Sequence, residues 1–565
     1  MLTARKTRGI SLFAFVAASL AAGLAANGFG GAQTTAGHPG RTTSQYALTA
    51  GRAGLTAGEM RAERAFDAAK KLGPPELYAF LKNMPKGAEL HYHLGGGVYA
   101  ETFLAEAVKQ QLCIDPVAAR FAQPAPGGPP IKEPCPANTI AASEAVKDQK
   151  LYDRLVNALS MRSFVASPGF TGHDQFFSGN RTGGPTGFMG EWLAEVAMRA
   201  ADQNELYMEI MTAPNFRKSI SLSASIPWPA GAEDSVTREQ LEGLRHALVK
   251  TGVLNEIDAG RKEMDDAEAA QRAIEKCGAQ SGEESAAQAG APPACNLKIR
   301  YIYTIGRGQP PISVFTQALI GFELNRVDPR FVGINIAAPE DGRVSMKDYH
   351  LHMEMLDYLH SLPQYQKVNL TLHAGELAPG LVPPEGLRFH IREAIELGHA
   401  QRIGHGVDVL YEDDAAGLLR EMAERHIMVE INLTSNDVIL GVKGVDHPLA
   451  GYRAAHVPVA LSTDDEGNSR IDLTHEYVKG AEEQGLTYFD MKQMARTSFE
   501  HAFSPGESLW AAADDFTRRK AACAGPITAA SRPTAACGDL LKASERAAEQ
   551  WELERRFAEF EGEIR

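Results

Sequence analysis

The chain has 565 residues, 44% of them hydrophobic, enough to bury a sizeable core and to form one large barrel with additions or several domains. Lys plus Arg number 57 against 71 Asp plus Glu, and the resulting net charge of -14 repels phosphate backbones, so no nucleic acid partner is expected.

At the N-terminus, Arg5, Lys6 and Arg8 precede an uncharged, mostly apolar run from Ile10 to Ala26, followed by small residues suited to a signal peptidase. The run is shorter than the roughly 20 residues a spanning helix needs. Residues 1–26 therefore read as a secretory signal rather than a stable membrane anchor, and a periplasmic or secreted location is expected. Residues 27–56 are rich in Gly, Ala, Thr and Ser without an apolar period and read as a flexible lead-in. Helical spacing then recurs through an N-terminal segment, 57–86, broken by Gly73-Pro74-Pro75, which predicts two helices joined by a turn.

From there short apolar runs alternate with helical stretches. Strands are predicted at Ala88–His93, Leu206–Thr212, Leu297–Ile305, Phe331–Ile336, Val368–His373, Arg402–His405, Ile427–Asn432 and Val457–Ser462. Helical period marks Gly190–Ala201, Met346–Leu362, Leu387–Leu397, Ala415–Arg425 and Leu449–Ala455. The alternation predicts an α/β fold, a parallel (β/α)8 TIM-type barrel over residues 87–509, larger than the roughly 250-residue norm because of insertions. One insert, 111–139, is Pro-rich and loop-like; another, 231–295, is helical and acidic and ends in GAQSGEESAAQAGAPPAC. Residues 510–565 form a charged, helical C-terminal extension, and no internal repeat is present.

Six cysteines fall in three neighbouring pairs, Cys113 with Cys135, Cys277 with Cys295 and Cys523 with Cys537. Six allow many connectivities, but each close pair brackets a Pro-, Gly- or Ala-rich loop, and local disulfides are expected. None has CxxC or CxxH spacing, so a zinc–thiolate site is unsupported.

In AELHYHLGGG, His91 and His93 stand two apart on a strand and so can face one side, where two imidazoles suit a divalent metal. Alone, the pair is a weak signal and reads better as satisfied core or surface histidines. Three other strand ends add to it: VNLTLHAGE supplies His373 and Glu376, RIGHG supplies His405 between two glycines that allow close approach to a ligand, and VPVALSTDD supplies Asp464 and Asp465. In a parallel barrel these C-terminal strand ends open onto one mouth, where catalytic groups collect. His360, His390, His399, His426, His447, His456, His475 and His501 have no comparable setting and read as surface or core residues.

Taken in order, HYH, HAGE, RIGHG and STDD resemble the adenosine deaminase family of the amidohydrolase barrels, over about Lys82 to Thr497. MPKGAELHYHLGG, the cysteine-bracketed insert and STDDEGNSR look most like its secreted, growth factor-related branch, which implies a small disulfide-linked module and homodimers. The resemblance implies one Zn2+ per chain, held by His91, His93, His373 and Asp464, with a position open for water. A lysine on the fourth strand, as binuclear barrel hydrolases use, is absent from Phe331–Asp341. It further implies a hydrolase that converts adenosine and 2′-deoxyadenosine to inosines and ammonia by zinc-hydroxide attack on C6. In that reaction His405, helped by Asp464, holds or deprotonates the water, Glu376 protonates N1 of the purine, and Asp465 bonds N7.

Three positions depart from the family. Gly95 stands where the intracellular enzymes carry an Asp that contacts ribose, Ala338 where a Gly amide touches the purine, and Glu466 where a Pro commonly follows the paired acids. His93, Gly95, Ala338 and Asp465 are the expected substrate contacts. Adenine or a methylated adenine nucleoside stays open as substrate, and so does a non-catalytic extracellular binding protein on the same barrel.

Overall fold

Strands covered on both faces must be apolar almost throughout, and the barrel strands are short runs of that kind. The computed structural model describes residues 55–124, 128–178, 181, 184–278 and 292–564, so the expected signal, the lead-in up to residue 54 and most of the low-complexity run lie outside the described residues. Eight strands form one parallel sheet in chain order: β1 Gly87–His93, β2 Glu205–Thr212, β3 Lys298–Gly306, β4 Phe331–Ala337, β5 Asn369–Ala374, β6 Arg402–His405, β7 Met428–Ile431 and β8 Val459–Leu461. Each pairs with its predecessor in parallel register. These are the eight predicted strands, shifted or trimmed by one or two residues at their ends.

Between β8 and β1 the closure is a single bridge, Tyr92 to Asp464. Asp464 N–H donates to the His91 carbonyl at 2.9 Å and His93 N–H to the Asp464 carbonyl at 3.1 Å. The sheet thus meets itself within the predicted metal-binding segments, at Asp464 and at Tyr92 between His91 and His93.

Helices line the outside. The predicted stretch Met346–Leu362 is broken at Asp348 into Arg343–Lys347 and Tyr349–His360, and Leu387–Leu397 becomes a 3-10 turn followed by His390–Glu396. Helix Pro311–Val327 is apolar on nearly every side and buried along its length, so it shows no amphipathic stripe. Among the described residues no helix is long and apolar enough to cross a membrane.

Two expectations are corrected. The insert at 111–139 is not only loop: Cys113–Asp115 pairs antiparallel with Arg120–Phe121 and with Ile140–Ala141. Its strands are too short to show alternation, yet Ile114 and Phe121 are buried with Leu104 and Leu155 in a core of their own. The C-terminal extension starts not as helix but as a hairpin, Trp510–Ala512 against Asp515–Arg519, turned at Asp514 with φ 56°. Disulfides join Cys113 to Cys135, Cys277 to Cys295 and Cys523 to Cys537.

The last helix, Glu545–Glu563, packs on Tyr488–His501 and on Ala57–Leu72. Arg496 grips both Glu554 oxygens at 2.7 and 2.8 Å, and Lys492 joins Glu59 at 3.0 Å to Glu561 at 2.5 Å, all buried. Removing one partner of such a pair leaves an uncompensated charge. Arg496→Ala is therefore expected to lower unfolding free energy by about 3–5 kcal/mol, read by chemical denaturation.

Candidate active site

The strand ends bring the predicted residues together at the barrel mouth. His91 and His93, two apart on β1, project their Nε2 atoms to 3.5 and 3.3 Å from Asp464 Oδ1. His373, at the end of β5, places its Nε2 3.2 Å from His93 Nε2. Donors held at about 2.0–2.1 Å from a tetrahedral ion stand about 3.3 Å apart, so these separations fit one ion between them. His405 Nε2 is farther out, 4.0 Å from Asp464 Oδ2 and 3.9 Å from Glu376 Oε1. One potential donor atom from each of His91, His373, His405 and Asp464 also lies within 4.8 Å of the others, a set with His405 in the place of His93. The 3.2 and 3.3 Å contacts of His93 match the separations of donors around one ion, and the 3.9–4.0 Å separations of His405 do not. Fully buried His91 Nε2 has no hydrogen-bond partner, a cost that a bound cation would remove.

Backbone and buried charge hold the donors in place. His91 Nδ1–H donates to Glu430 Oε2 at 2.6 Å, and Glu430 Oε1 accepts from Thr371 and Arg402, each at 2.7 Å. Burial by itself would raise Glu430, but Arg402 and the bond from His91 hold it at about 2. His373 Nδ1–H donates to Asn335 Oδ1 at 2.9 Å, and Ser435 donates to Asp464 Oδ2 at 2.7 Å. Asp464 and His405 sit in the left-handed region, φ 62° and 71°, which costs of order 1–3 kcal/mol each and is kept where surroundings dictate it.

Three carboxyl groups face the mouth. Burial, then the neighbouring Asp464 and Glu340 carboxylates, push the Glu376 carboxyl well above the usual range, which favours its protonated form. Burial and Asp464 do the same for Asp465, against the opposing charge of Arg181. Asp464 itself is held well below its usual range: burial opposes this, and the adjoining His91, His405 and His93 rings outweigh it.

A cavity of about 500 Å³ opens here, lined by His93, Gly95, Ala338, His373, Glu376, Asp464 and Asp465 among others, and walled by Phe176, Phe177, Trp192 and Met211. None of its lining residues is Lys or Arg. A larger cavity of about 590 Å³, beside Lys298, Arg300 and Glu549, touches none of the candidate residues. Phe176 and Phe177 stand at the end of the short helix Gly172–Phe176, which lies against Leu433–Leu440 so closely that a Cβ on Gly172 would stand 1.7 Å from the Val438 carbonyl. His173 pairs with Asp341 at 2.9 Å across the mouth.

The glycines of RIGHG have another purpose than close approach to a ligand. A Cβ on Gly404 would fall 2.6 Å from the His91 ring, and one on Gly406 2.4 Å from the Tyr452 hydroxyl. They make room for protein, not substrate. A Cβ on Gly96 would lie 1.2 Å from Asp465 Oδ1, while Gly95 faces open space.

Several supporting residues were not singled out from sequence. Glu340 accepts the backbone N–H of Gly375 at 3.0 Å and of Glu376 at 2.8 Å, and bonds His390 Nδ1 at 2.5 Å, so His390 belongs to the network that aims Glu376. His447 likewise is no isolated core residue, since it bonds Asn436 beside His405. The available signal was a charge inside an apolar strand, as Glu430 in MVEI and Glu209 in LYMEIM.

Fold and site together define a parallel-barrel protein whose mouth carries three imidazoles and a carboxylate arranged to hold one metal ion. A family model described as adenosine deaminase matches residues 269–516, a span that holds His373, Glu376, His405, Asp464 and Asp465 and leaves His91 and His93 outside. The chain is 30% identical over 215 residues to an adenine deaminase of Rhizobium leguminosarum bv. trifolii (strain WSM2304), 38% of this chain and 60% of that protein. It is 37% identical over 140 residues to an adenosine deaminase of Escherichia coli (strain SE11), 25% of this chain and 39% of that one. A crystal structure of adenine deaminase from Arthrobacter aurescens aligns at TM-score 0.46 and 15% identity, over 74% of this chain and 94% of that one. Over residues 269–516 the chain is similar to the adenosine deaminase family. Its match spans 60% or less of the length of these two curated relatives.

Ala338 takes φ 136°, a conformation that suits glycine. Ala338→Gly is expected to raise stability by about 1 kcal/mol, the relieved strain exceeding the added chain entropy, and to raise the urea midpoint accordingly.

Proposed function

We propose that the protein is an exported, zinc-dependent deaminase of an uncharged purine nucleoside, adenosine first and 2′-deoxyadenosine with it. The observation that carries this reading is the convergence of His91, His93 and His373 Nε2 with Asp464 Oδ1 at 3.2–3.5 Å beside Glu376, whose carboxyl is pushed well above its usual range by burial. His91, His93, His373 and Asp464 would hold the ion, whose donor set of imidazole and carboxylate suits zinc. When bound, zinc supplies Lewis acidity that makes hydroxide available from water near neutral pH.

The chain's own residues do the rest. Deamination adds the oxygen of water to C6, moves a proton to N1 and expels ammonia. Glu376, a carboxylic acid, gives its proton to N1. Asp465, also protonated, donates to N7, which has only a lone pair to offer. His405, helped by Asp464, holds the attacking water or takes its proton. The aromatic wall of Phe176, Phe177 and Trp192 excludes solvent, and the volume of about 500 Å³ suits a nucleoside.

Charge supports a nucleoside over a nucleotide. Arg307, the nearby candidate for a phosphate, is fully buried and committed to the carbonyls of Ala338 and His373 and to Glu340. Arg343 is exposed and outside the cavity lining. Three disulfides support an oxidising compartment and therefore export. A second reading, adenine itself, is favoured by one observation: bare Gly95 offers ribose no side chain.

Glu376→Gln is expected to keep its zinc, by metal analysis, while turnover of adenosine falls by about 10²–10⁴-fold. Ammonia release should follow adenosine, not adenine, and kcat/KM for adenosine should exceed that for AMP by about 100-fold or more, since the cavity lining offers a phosphate no Lys or Arg. Preference for adenine would favour the second reading; zinc-loaded protein inert on all three would sink both. Gly95→Asp, with open space to fill, is expected to lower KM for adenosine by about tenfold, the worth of one good hydrogen bond to ribose.

A further inference from the structure

Two kinds of histidine surround the site, and the partners of their Nδ1 atoms tell them apart. His91 and His373 each donate Nδ1–H, to Glu430 Oε2 at 2.6 Å and Asn335 Oδ1 at 2.9 Å, which leaves a lone pair on each Nε2. The orientation of Asn335 is fixed independently, because the same oxygen accepts the His373 backbone N–H at 3.2 Å. Both rings are thus ready to ligate.

His405 has the opposite polarity, and a backbone group that can only donate sets it. Leu449 N–H donates to His447 Nδ1 at 3.2 Å, so that nitrogen keeps its lone pair and the neutral ring carries its proton on Nε2. His447 Nε2–H then donates to Asn436 Oδ1 at 3.1 Å, which turns the amide nitrogen of Asn436 toward His405 Nδ1 at 3.0 Å. Asn432 Nδ2 lies 3.4 Å from the same nitrogen. His447, Asn436, Asn432 and His405 are all buried, and burial keeps the His447 ring neutral near pH 7 by lowering it to about 4. With Nδ1 of His405 accepting, its proton is on Nε2, the atom aimed at the site. The nearest carboxylate oxygens there, on Glu376 and Asp464, stand at 3.9 and 4.0 Å, beyond hydrogen-bond reach. Thus the relay, not the site, fixes the proton.

We propose that His447 is a positioning residue: through Asn436 it sets the tautomer of His405, so that His405 Nε2–H donates to the attacking oxygen and offers no lone pair to the metal. The inference rests on the deaminase reading for its kinetic consequence, and it chooses between the two parts open to His405, holding the water rather than taking its proton. It also explains why His405, though within 4.8 Å of the other donors, is not one of the four ligands.

Full-length protein labelled with 15N-histidine, both metal-stripped and zinc-loaded, tests this, because NMR separates a ring nitrogen bearing a proton from one bearing a lone pair. His405 signals are identified by their loss in His405→Gln. Wild type should show the proton on His405 Nε2. His447→Gln, still able to donate to Asn436, should keep it there. Asn436→Asp, of the same volume but able only to accept, should move it to Nδ1, and His447→Leu should leave the ring without a fixed proton. In parallel, His447→Leu and Asn436→Asp should lower kcat about 10–100-fold with KM changed less than about twofold and zinc content unchanged, while His447→Gln stays within about threefold of wild type. Should His447→Leu fail to fold, Asn436→Asp carries the comparison. A proton on Nδ1 in wild type, or wild-type spectra and kcat in Asn436→Asp, would overturn the relay. A wild-type chain inert on every purine would overturn the functional reading instead, and the spectra would still decide the relay.

Discussion

The site depends on how the sheet closes. Between the last strand and the first there is one rung, and it consists of Asp464 bonded by its amide to the His91 carbonyl and by its carbonyl to the His93 amide. That pairing seats the carboxylate between two imidazoles that strand alternation has already turned to the same side. Closing the barrel and assembling the donors are therefore one event. The left-handed backbone at Asp464 is the local cost, and it is held by hydrogen bonds on both sides of the residue.

Beneath the donors lies a layer of buried polar groups that fixes their angles. Glu430 orients His91, Asn335 orients His373, and Glu340 holds the backbone of Gly375 and Glu376. Such a layer is costly unless every member is paired, and the close approaches at Gly96, Gly404 and Gly406 let the members reach one another. The layer gives the mouth its rigidity; the aromatic helix Gly172–Phe176 gives it a cover.

All eight barrel strands were legible, because each must be an apolar run of a few residues bounded by turn or helix signals, and the four site motifs end such runs. The three cysteine pairs were legible from proximity in sequence. Less legible was anything whose partner lies across the fold. Asn436 and His447 carry no spacing that points to His405, and Glu340 reads as one acid in a loop. The strands of the 113–141 sheet have two or three residues, too few to alternate. The glycines around His405 were read for the right property, small size, and assigned to the wrong neighbour, since what approaches them is protein.

One buried row has an evolutionary consequence. Glu209, Arg402, Glu430 and His91 follow one another across the barrel interior with alternating character, joined at 2.7, 2.7 and 2.6 Å, and none is more than 1% exposed. Neutralising any single member strands its neighbour's charge where no solvent can screen it. With His91 held by its place among the metal donors, drift at Glu209, Arg402 and Glu430 is coupled, and covariation among these three would trace a lineage's electrostatic solution more faithfully than the identity of any one.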